Sequence, residues 1–300
     1  MVLSIIMKLD VCPVCKSKKV RELYPANIDL RKLAFTYAKT QDTNKTFRVV
    51  RCLNCSHVFC APIPKDIYKN YEDVVDKEYL EYVEPLKISA RLVLPAIKKY
   101  APKGKLLDVG CATGEFLEVA REAGYLVEGL ELSKWSAELA GKKGIKIYRQ
   151  SIKSLSDKFP KMYDVITLFG VIEHFEKPLE EMTYLNKLLK PGGVIAIWTG
   201  DVDSISSKLT GRKWWYWQGQ HIQYFTHKSL SSLMSGCGFI HLTTKLYPFI
   251  ATSRLMYNYL GRYPFRALLT KLLKPVFLVK PVWAIRLPGE MLWIGKKAKA

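Results

Sequence analysis

Between Lys105 and Thr199, short apolar runs alternate with segments of helical spacing, and glycine sits at the joins. Lys105-Leu-Leu-Asp108-Val-Gly110-Cys-Ala-Thr-Gly114-Glu-Phe116-Leu reads as strand, glycine turn and helix. A helix over 115–123 ends at Gly124, and residues 125–130 form a second strand closed by Glu131-Leu-Ser133. A helix over 134–142 leads through Gly144 to a third short strand at 145–148, and residues 163–169 form a fourth. A helix over 180–189 stops at Pro191-Gly192-Gly193, and 194–199 is a fifth strand. This alternation predicts a parallel, doubly wound, Rossmann-like α/β sheet. Asp108, Gly110, Gly114, Glu131 and residues 169–174 then fall at the C-terminal ends of strands, where such sheets bind ligands.

The first turn narrows the ligand. A dinucleotide fingerprint needs glycine at 110, 112 and 115, where this chain has Gly110, Ala112 and Glu115, and no phosphate-cradling Gly-Lys-Ser/Thr is present. Asp108 and Glu115 would repel pyrophosphate and favour a cationic group. Glu131 closes the second strand and offers two oxygens to the two hydroxyls of a ribose. A ribose plus an ammonium, without phosphates, describes S-adenosylmethionine.

Four motifs carry a family resemblance. Leu-Leu-Asp108-Val-Gly110-Cys-Ala-Thr-Gly114, Gly-Leu-Glu131-Leu-Ser133, Tyr163-Asp164-Val-Ile-Thr-Leu-Phe-Gly-Val-Ile-Glu173-His174 and Leu-Leu-Lys190-Pro191-Gly192-Gly193 occur in order. Over residues 100–245 the chain resembles class I S-adenosylmethionine-dependent methyltransferases. The resemblance implies a seven-stranded sheet whose last strand lies antiparallel at the edge. It also implies that Gly110, Ala112 and Gly114 contact the methionine part and Glu131 the ribose. Asp108, Cys111, Phe116, Leu132, Ser133, Ser151, Phe169 and Gly170 complete the expected cofactor-binding set. Ala112 stands where glycine is commoner, which suits a negative φ. Ser151 stands where many members have the Asp that binds the adenine amine, so Gln150, Ser151 or a backbone carbonyl takes that role here.

Four of the seven cysteines form two C-x-x-C knuckles, Cys12–Cys15 and Cys52–Cys55. Two such pairs complete a tetrahedral four-sulfur Zn2+ site, closed and therefore structural. His57 and Cys60 lie just beyond, either one an alternative to Cys55. The expected organisation is a zinc-ribbon-like module at 1–64, a helical linker at 65–100, the cofactor-binding core at 101–246, an insertion at 247–288 and a last strand with tail at 289–300. Apolar spacing predicts a linker helix up to Lys99, kinked or broken at Pro95.

Transfer to oxygen or carbon calls for a base near neutral pKa, and histidine is the natural one. His221, in Trp217-Gln-Gly-Gln-His221-Ile-Gln-Tyr224, is the first candidate. His174, after the fourth strand, is the second, and Tyr224 completes the catalytic set. The aromatic run Trp214 to Trp217 suits a sugar ring or a conjugated acceptor, or packing under a lid. The zinc knuckles with this core resemble small-molecule methyltransferases of deoxysugar and polysaccharide pathways, and the core alone resembles quinone-pathway O-methyltransferases. These resemblances imply a small-molecule, sugar or lipid-linked acceptor. The alternatives are a zinc-bearing rRNA or tRNA methyltransferase, which Cys52-x-x-Cys55-Ser-His57 resembles in part, and a non-catalytic protein that keeps the cofactor fold.

The chain has 47 Lys and Arg against 27 Asp and Glu, a net charge of +20. Residues 241–300 hold 11 basic residues and 1 acidic one, whereas 101–200 is nearly balanced with 14 and 13. A basic, aromatic insertion at 247–288, with an amphipathic helix over 266–274, predicts peripheral contact with an anionic membrane rather than with nucleic acid. No run of 18 apolar residues and no secretion signal are read. The expected location is cytoplasmic, with that contact at the membrane surface.

Overall fold

The computed structural model describes residues 10–28, 44–65, 69–252, 271, 282–285 and 288–298. The first described elements are β1 (Val20–Tyr24), β2 (Val49–Cys52) and β3 (Val58–Cys60). α1 (Lys69–Glu72), a 3-10 turn (Lys77–Tyr82) and α2 (Val83–Lys98) lead to the core. The core runs β4 (Lys105–Val109), α3 (Glu115–Glu122), β5 (Leu126–Leu130), α4 (Lys134–Lys142), β6 (Lys146–Tyr148), α5 (Ile152–Lys158), β7 (Tyr163–Phe169), α6 (Pro178–Leu188) and β8 (Leu189–Gly200). α7 (Ile205–Thr210), β9 (Gln223–Tyr224), α8 (His227–Gly236), β10 (Phe239–Leu246), β11 (Phe249–Thr252), β12 (Val282–Ile285) and β13 (Glu290–Lys297) follow.

Seven strands make one sheet in the order β10-β13-β8-β7-β4-β5-β6. The five strands from β8 to β6 are parallel, as the alternation requires. Their apolar runs are buried on both faces: Leu106, Leu107, Val165, Ile166, Ile195 and Ile197 have no exposed surface. The last strand departs from the expectation. β13 lies inside the sheet, antiparallel to both β8 and β10, and β10 forms the edge. Burial explains the order: Met291, Leu292, Trp293 and Ile294 are all buried, whereas Ile240 and Leu246 of β10 face solvent. Pro95 also departs from expectation, since α2 continues through it to Lys98 without a break.

Helix starts are set by short hydroxyl side chains. Ser133 Oγ accepts from the Ser136 amide at 3.1 Å and Ser151 Oγ from the Ser154 amide at 3.1 Å. Thr226 and Ser229 form a reciprocal capping box at α8.

The N-terminal strands do not stand apart from the core. Their sheet has the order β1-β2-β3-β9, so its fourth strand comes from the loop after β8. A buried junction seals the two sheets. His57 Nε2 meets Gln223 Oε1 at 2.8 Å, Gln223 Nε2 donates to the Phe175 carbonyl at 2.9 Å, and the Cys60 amide donates to the Ile222 carbonyl at 2.9 Å. β11 pairs with β12 inside the region expected as an insertion, and of the helix expected over 266–274 only Lys271, which is helical, is among the described residues. Among the described residues no helix is long and apolar enough to cross a membrane.

Gln223→Leu would orphan His57 Nε2 in the interior and remove the bond to the Phe175 carbonyl. We expect a loss of about 1–3 kcal/mol in urea unfolding followed by tryptophan fluorescence.

Candidate functional site

The turn after β4 is held by backbone bonds to the neighbouring strand. The Gly110 amide donates to the Leu130 carbonyl at 2.7 Å. The Glu131 carboxylate accepts from the Ala112 amide at 2.9 Å and from the Ser133 amide at 2.8 Å. Gly110 has a φ of +68°, and a Cβ there would sit 2.5 Å from Val171 Cγ2, so the position requires glycine. Ala112 has a φ of +46°, not the negative value expected from its identity. The bond to Glu131 holds it in the left-handed region despite the Cβ.

Three carboxylates are buried around this turn. Asp108, 4% exposed, accepts from Thr167 Oγ1 at 2.6 Å. Burial pushes its pKa up to about 7; the Thr167 bond opposes the rise, and the charges of Glu131 and Glu115 add to it. Glu115 takes a hydroxyl bond from Thr113 and pairs through Oε1 with Lys143 Nζ at 3.0 Å. Glu115 Oε2 is buried with no partner.

These groups open onto a cavity of about 640 Å³. Of the residues expected at the cofactor, Asp108, Gly110, Cys111, Ala112, Phe116, Glu131, Leu132, Ser151, Phe169 and Gly170 line it. Gly114 and Ser133 do not: they start α3 and α4, and Ser133 Oγ donates to the Val74 carbonyl at 2.8 Å. Ser151 spends its hydroxyl as a helix cap. Its neighbour Gln150 lines the cavity with a buried, unpartnered Nε2, a donor suited to an adenine ring nitrogen. The donor set fits S-adenosylmethionine. The clamped Glu131 carboxylate would accept the two ribose hydroxyls, and the orphaned Glu115 oxygen would accept from the ammonium.

The same cavity carries the histidines. His221 Nδ1 lies 2.9 Å from the Tyr216 carbonyl, which assigns the proton to Nδ1 and the lone pair to Nε2. His174 Nδ1 lies 2.8 Å from the Gln220 carbonyl and 3.1 Å from Tyr71 Oη, and its ring centroid is 5.0 Å from that of His221. Burial lowers the His174 pKa to about 4, so this ring is neutral at physiological pH. Glu173, His174 and His221 bring a carboxylate oxygen and two ring nitrogens within 4.8 Å of one another. The Glu173 carboxylate accepts from Tyr216 Oη at 2.5 Å and from Thr199 Oγ1 at 3.1 Å.

Tyr224 is not part of this wall. Its hydroxyl donates to the His221 carbonyl at 2.8 Å, away from the cavity, because the ring packs against Trp217. It positions the His221 loop instead of facing a substrate. The aromatic run divides: Tyr216 lines the cavity, while Trp214 and Trp217 fill the core beneath the N-terminal sheet. Sequence reasoning missed Tyr71, Trp198, Gln220, Tyr247 and Glu290, which also line the cavity and belong to no motif.

The four knuckle cysteines converge, with all four sulfurs within 4.8 Å. Cys12 and Cys55 sulfurs are 3.6 Å apart, and Cys15 and Cys52 sulfurs 3.5 Å. His57 and Cys60 stand outside this cluster. His57 is committed to Gln223, and Cys60 points to the His221 carbonyl.

Two outcomes follow from this geometry. Ala112→Gly relieves the left-handed alanine, and we expect a gain of about 1 kcal/mol in unfolding free energy. Asp108 has a folded pKa above its unfolded value of 3.8, so its ionisation opposes folding increasingly as pH rises from about 4 to about 7. A cationic ligand favours the ionised form. S-adenosylmethionine affinity, measured by calorimetry, should therefore rise with pH through about 7 in the wild type and be flatter in Asp108→Asn.

Comparison with known proteins identifies the family. An uncharacterized protein of Methanocaldococcus jannaschii is 29% identical over 144 residues, covering 48% of this chain and 68% of its own length. A ubiquinone biosynthesis O-methyltransferase of Vibrio atlanticus is 32% identical over 139 residues, covering 42% of this chain and 57% of its own length. In fold, the chain is similar to a SAM-dependent methyltransferase of Archaeoglobus fulgidus (TM-score 0.51, 18% identity, 74% of this chain and 100% of that one). The profile of the methyltransferase domain family matches residues 79–243. With the sheet order, the clamped glycine turn and this match together, the chain belongs to the methyltransferase domain family and is a class I S-adenosylmethionine-dependent methyltransferase.

Proposed function

We propose that the protein transfers a methyl group to a hydroxyl oxygen of a small sugar-like or lipid-linked acceptor, with His221 as the general base. The observation that carries this reading is the bond between His221 Nδ1 and the Tyr216 carbonyl, which puts the lone pair on Nε2 of a residue that lines the cavity. The likeness to ubiquinone biosynthesis O-methyltransferases supports oxygen as the acceptor atom. It covers about half of those proteins' length, so it supports no particular acceptor.

S-adenosylmethionine, when bound, supplies an electrophilic methyl group on a positively charged sulfur. The chain's own residues do the rest. His221 Nε2 takes the proton from the acceptor hydroxyl, and the Tyr216 carbonyl stabilises the resulting imidazolium through Nδ1–H. Neutral His174, bonded to Gln220 and Tyr71, orients the wall beside it. The walls align nucleophile and methyl carbon, where proximity lowers the barrier.

An RNA acceptor is the second reading, favoured by the +20 charge. The cavity argues against it. Among the described residues its lining holds seven carboxylates (Glu72, Asp108, Glu115, Glu131, Glu173, Glu181 and Glu290) against Arg149 as the one Lys or Arg. Even with Asp108, Glu173 and Glu181 partly protonated near pH 7, such a lining disfavours a polyanion. The non-catalytic reading is decided by turnover. Contact of residues 247–288 with an anionic membrane remains part of the reading, supported by the 11 basic residues against 1 acidic in 241–300.

The cysteine cluster is read as a structural zinc site. A tetrahedral ion with Zn–S bonds of about 2.3 Å spaces its sulfurs about 3.8 Å apart. The observed 3.5 and 3.6 Å are close to that and far from a disulfide bond of about 2.05 Å. Four thiolate ligands suit a reducing compartment. Native mass spectrometry should find one zinc per chain, lost in Cys12→Ser.

The test of function is transfer of a labelled methyl group to a panel of sugars, polyprenyl-linked sugars, quinols and RNA. We expect label on a hydroxyl of a non-nucleic-acid acceptor, and label confined to RNA would refute the reading. His221→Ala should cut turnover by about 10²–10⁴-fold while S-adenosylhomocysteine binding stays within about two-fold.

A further inference from the structure

Glu290, at the start of β13, has an unusual set of partners. It is 5% exposed and lines the cavity. Its two oxygens accept from indole nitrogens, Oε2 from Trp198 Nε1 at 3.1 Å and Oε1 from Trp215 Nε1 at 3.2 Å. Among the described residues it has no ion-pair partner. Indole N–H groups are neutral donors, so they satisfy geometry without cancelling charge. Its charge is felt by Glu173, whose pKa burial raises to about 7, with the Tyr216 and Thr199 bonds opposing and Glu290 adding.

A second, independent feature points to a ligand. Gln220 is 8% exposed and lines the same cavity. Its Nε2 donates to Gln218 Oε1 at 3.4 Å, which fixes the amide orientation, and its Oε1 is buried with no partner. A buried acceptor without a donor is unfavourable, and a donor on a ligand would relieve it. Glu290 and Gln220 thus offer acceptor oxygens in one cavity, whose lining also includes Trp198 and Tyr247. Trp198 stacks on Tyr247 with ring centroids 4.3 Å apart.

We propose that Glu290 and Gln220 form a recognition subsite for a protonated amine on the acceptor, as an amino sugar would carry. The inference rests on the small polar acceptor proposed above and names its class more closely. A carboxylate with uncancelled charge and an unpaired amide oxygen are matched by an ammonium, which has three donors and no acceptor. An ammonium held in this way has no lone pair. It is therefore a handle that orients the molecule, and the atom methylated is a hydroxyl oxygen elsewhere on it, which keeps the role of His221 unchanged.

The experiment measures binding of D-glucosamine, D-glucose and N-acetyl-D-glucosamine to the protein loaded with S-adenosylhomocysteine, by saturation-transfer NMR and by the fluorescence of Trp198 and Trp215. At neutral pH the wild type should bind glucosamine at least about ten-fold more tightly than the two uncharged sugars. Glu290→Gln, which keeps an oxygen for one indole, should reduce that preference to about two-fold or less with S-adenosylhomocysteine affinity retained. Gln220→Leu should weaken glucosamine in the same direction and serves as the second variant should Glu290→Gln fail to fold. Equal binding of the three sugars to the wild type, or a preference that survives both substitutions, would overturn the amine subsite. So would a ten-fold loss of S-adenosylhomocysteine affinity in folded Glu290→Gln, which would give the carboxylate to the cofactor. Failure of the wild type to bind S-adenosylhomocysteine at all would instead strike the cofactor reading on which both proposals stand.

Discussion

The buried carboxylate of Glu131 ties together the glycine turn after β4 and the turn after β5. It is 4% exposed and accepts the amides of Ala112 and Ser133, one from the turn after β4 and one from the turn after β5. Without such partners a buried carboxylate would be strongly disfavoured. With them, it sets the backbone path on both sides of the cavity. Ala112 adopts a positive φ, Gly110 closes against Val171, and Ser133 is placed to cap α4. A carboxylate oxygen carries two lone-pair sites, so the group that organises the turns has the chemistry to receive the hydroxyls of a ribose.

The charge distribution divides the molecule by task. The chain as a whole carries +20, yet the cavity lining holds seven carboxylates and a single arginine among the described residues. Net surface charge governs association with anionic partners at long range. The chemistry inside the cavity answers to local charge, and there it favours ligands that are cationic or rich in donors. A basic exterior and an acidic interior are compatible with an acceptor presented at an anionic surface whose reacting end is itself not anionic. The second architectural link serves the same cavity. β9 joins the cysteine-bearing sheet immediately after His221, so the N-terminal strands brace the loop that carries the proposed base.

Much of the cofactor half was legible in the sequence because it is built locally. Asp108, Gly110 and Glu131 sit at strand ends, and a strand end is visible as the point where an apolar run meets a turn. The rest of the cavity lining was less legible because it is assembled from distant segments. Tyr71 comes from the linker, Trp198 from β8, Tyr247 from the segment after β10 and Glu290 from the last strand, and no spacing rule connects them. His221 and His174 could be singled out by residue type, whereas the direction of Tyr224 could not, since its ring is turned by packing against Trp217. The position of β13 inside the sheet depended on the burial of both its faces, which a short apolar run does not reveal. The conformation of Ala112 depended on a bond to a residue 19 positions away. Residue identity alone points the other way there.

The central claim is that the clamped carboxylate both shapes the turns and receives the cofactor. Titration calorimetry of S-adenosylmethionine against the wild type and Glu131→Gln tests it most directly, with thermal unfolding of each protein measured alongside. The account predicts one cofactor per chain for the wild type and an affinity lower by about 10–100-fold in the variant, because a charge-assisted pair of hydroxyl bonds is lost. Equal affinity for the two folded proteins, or no binding to the wild type, would contradict it.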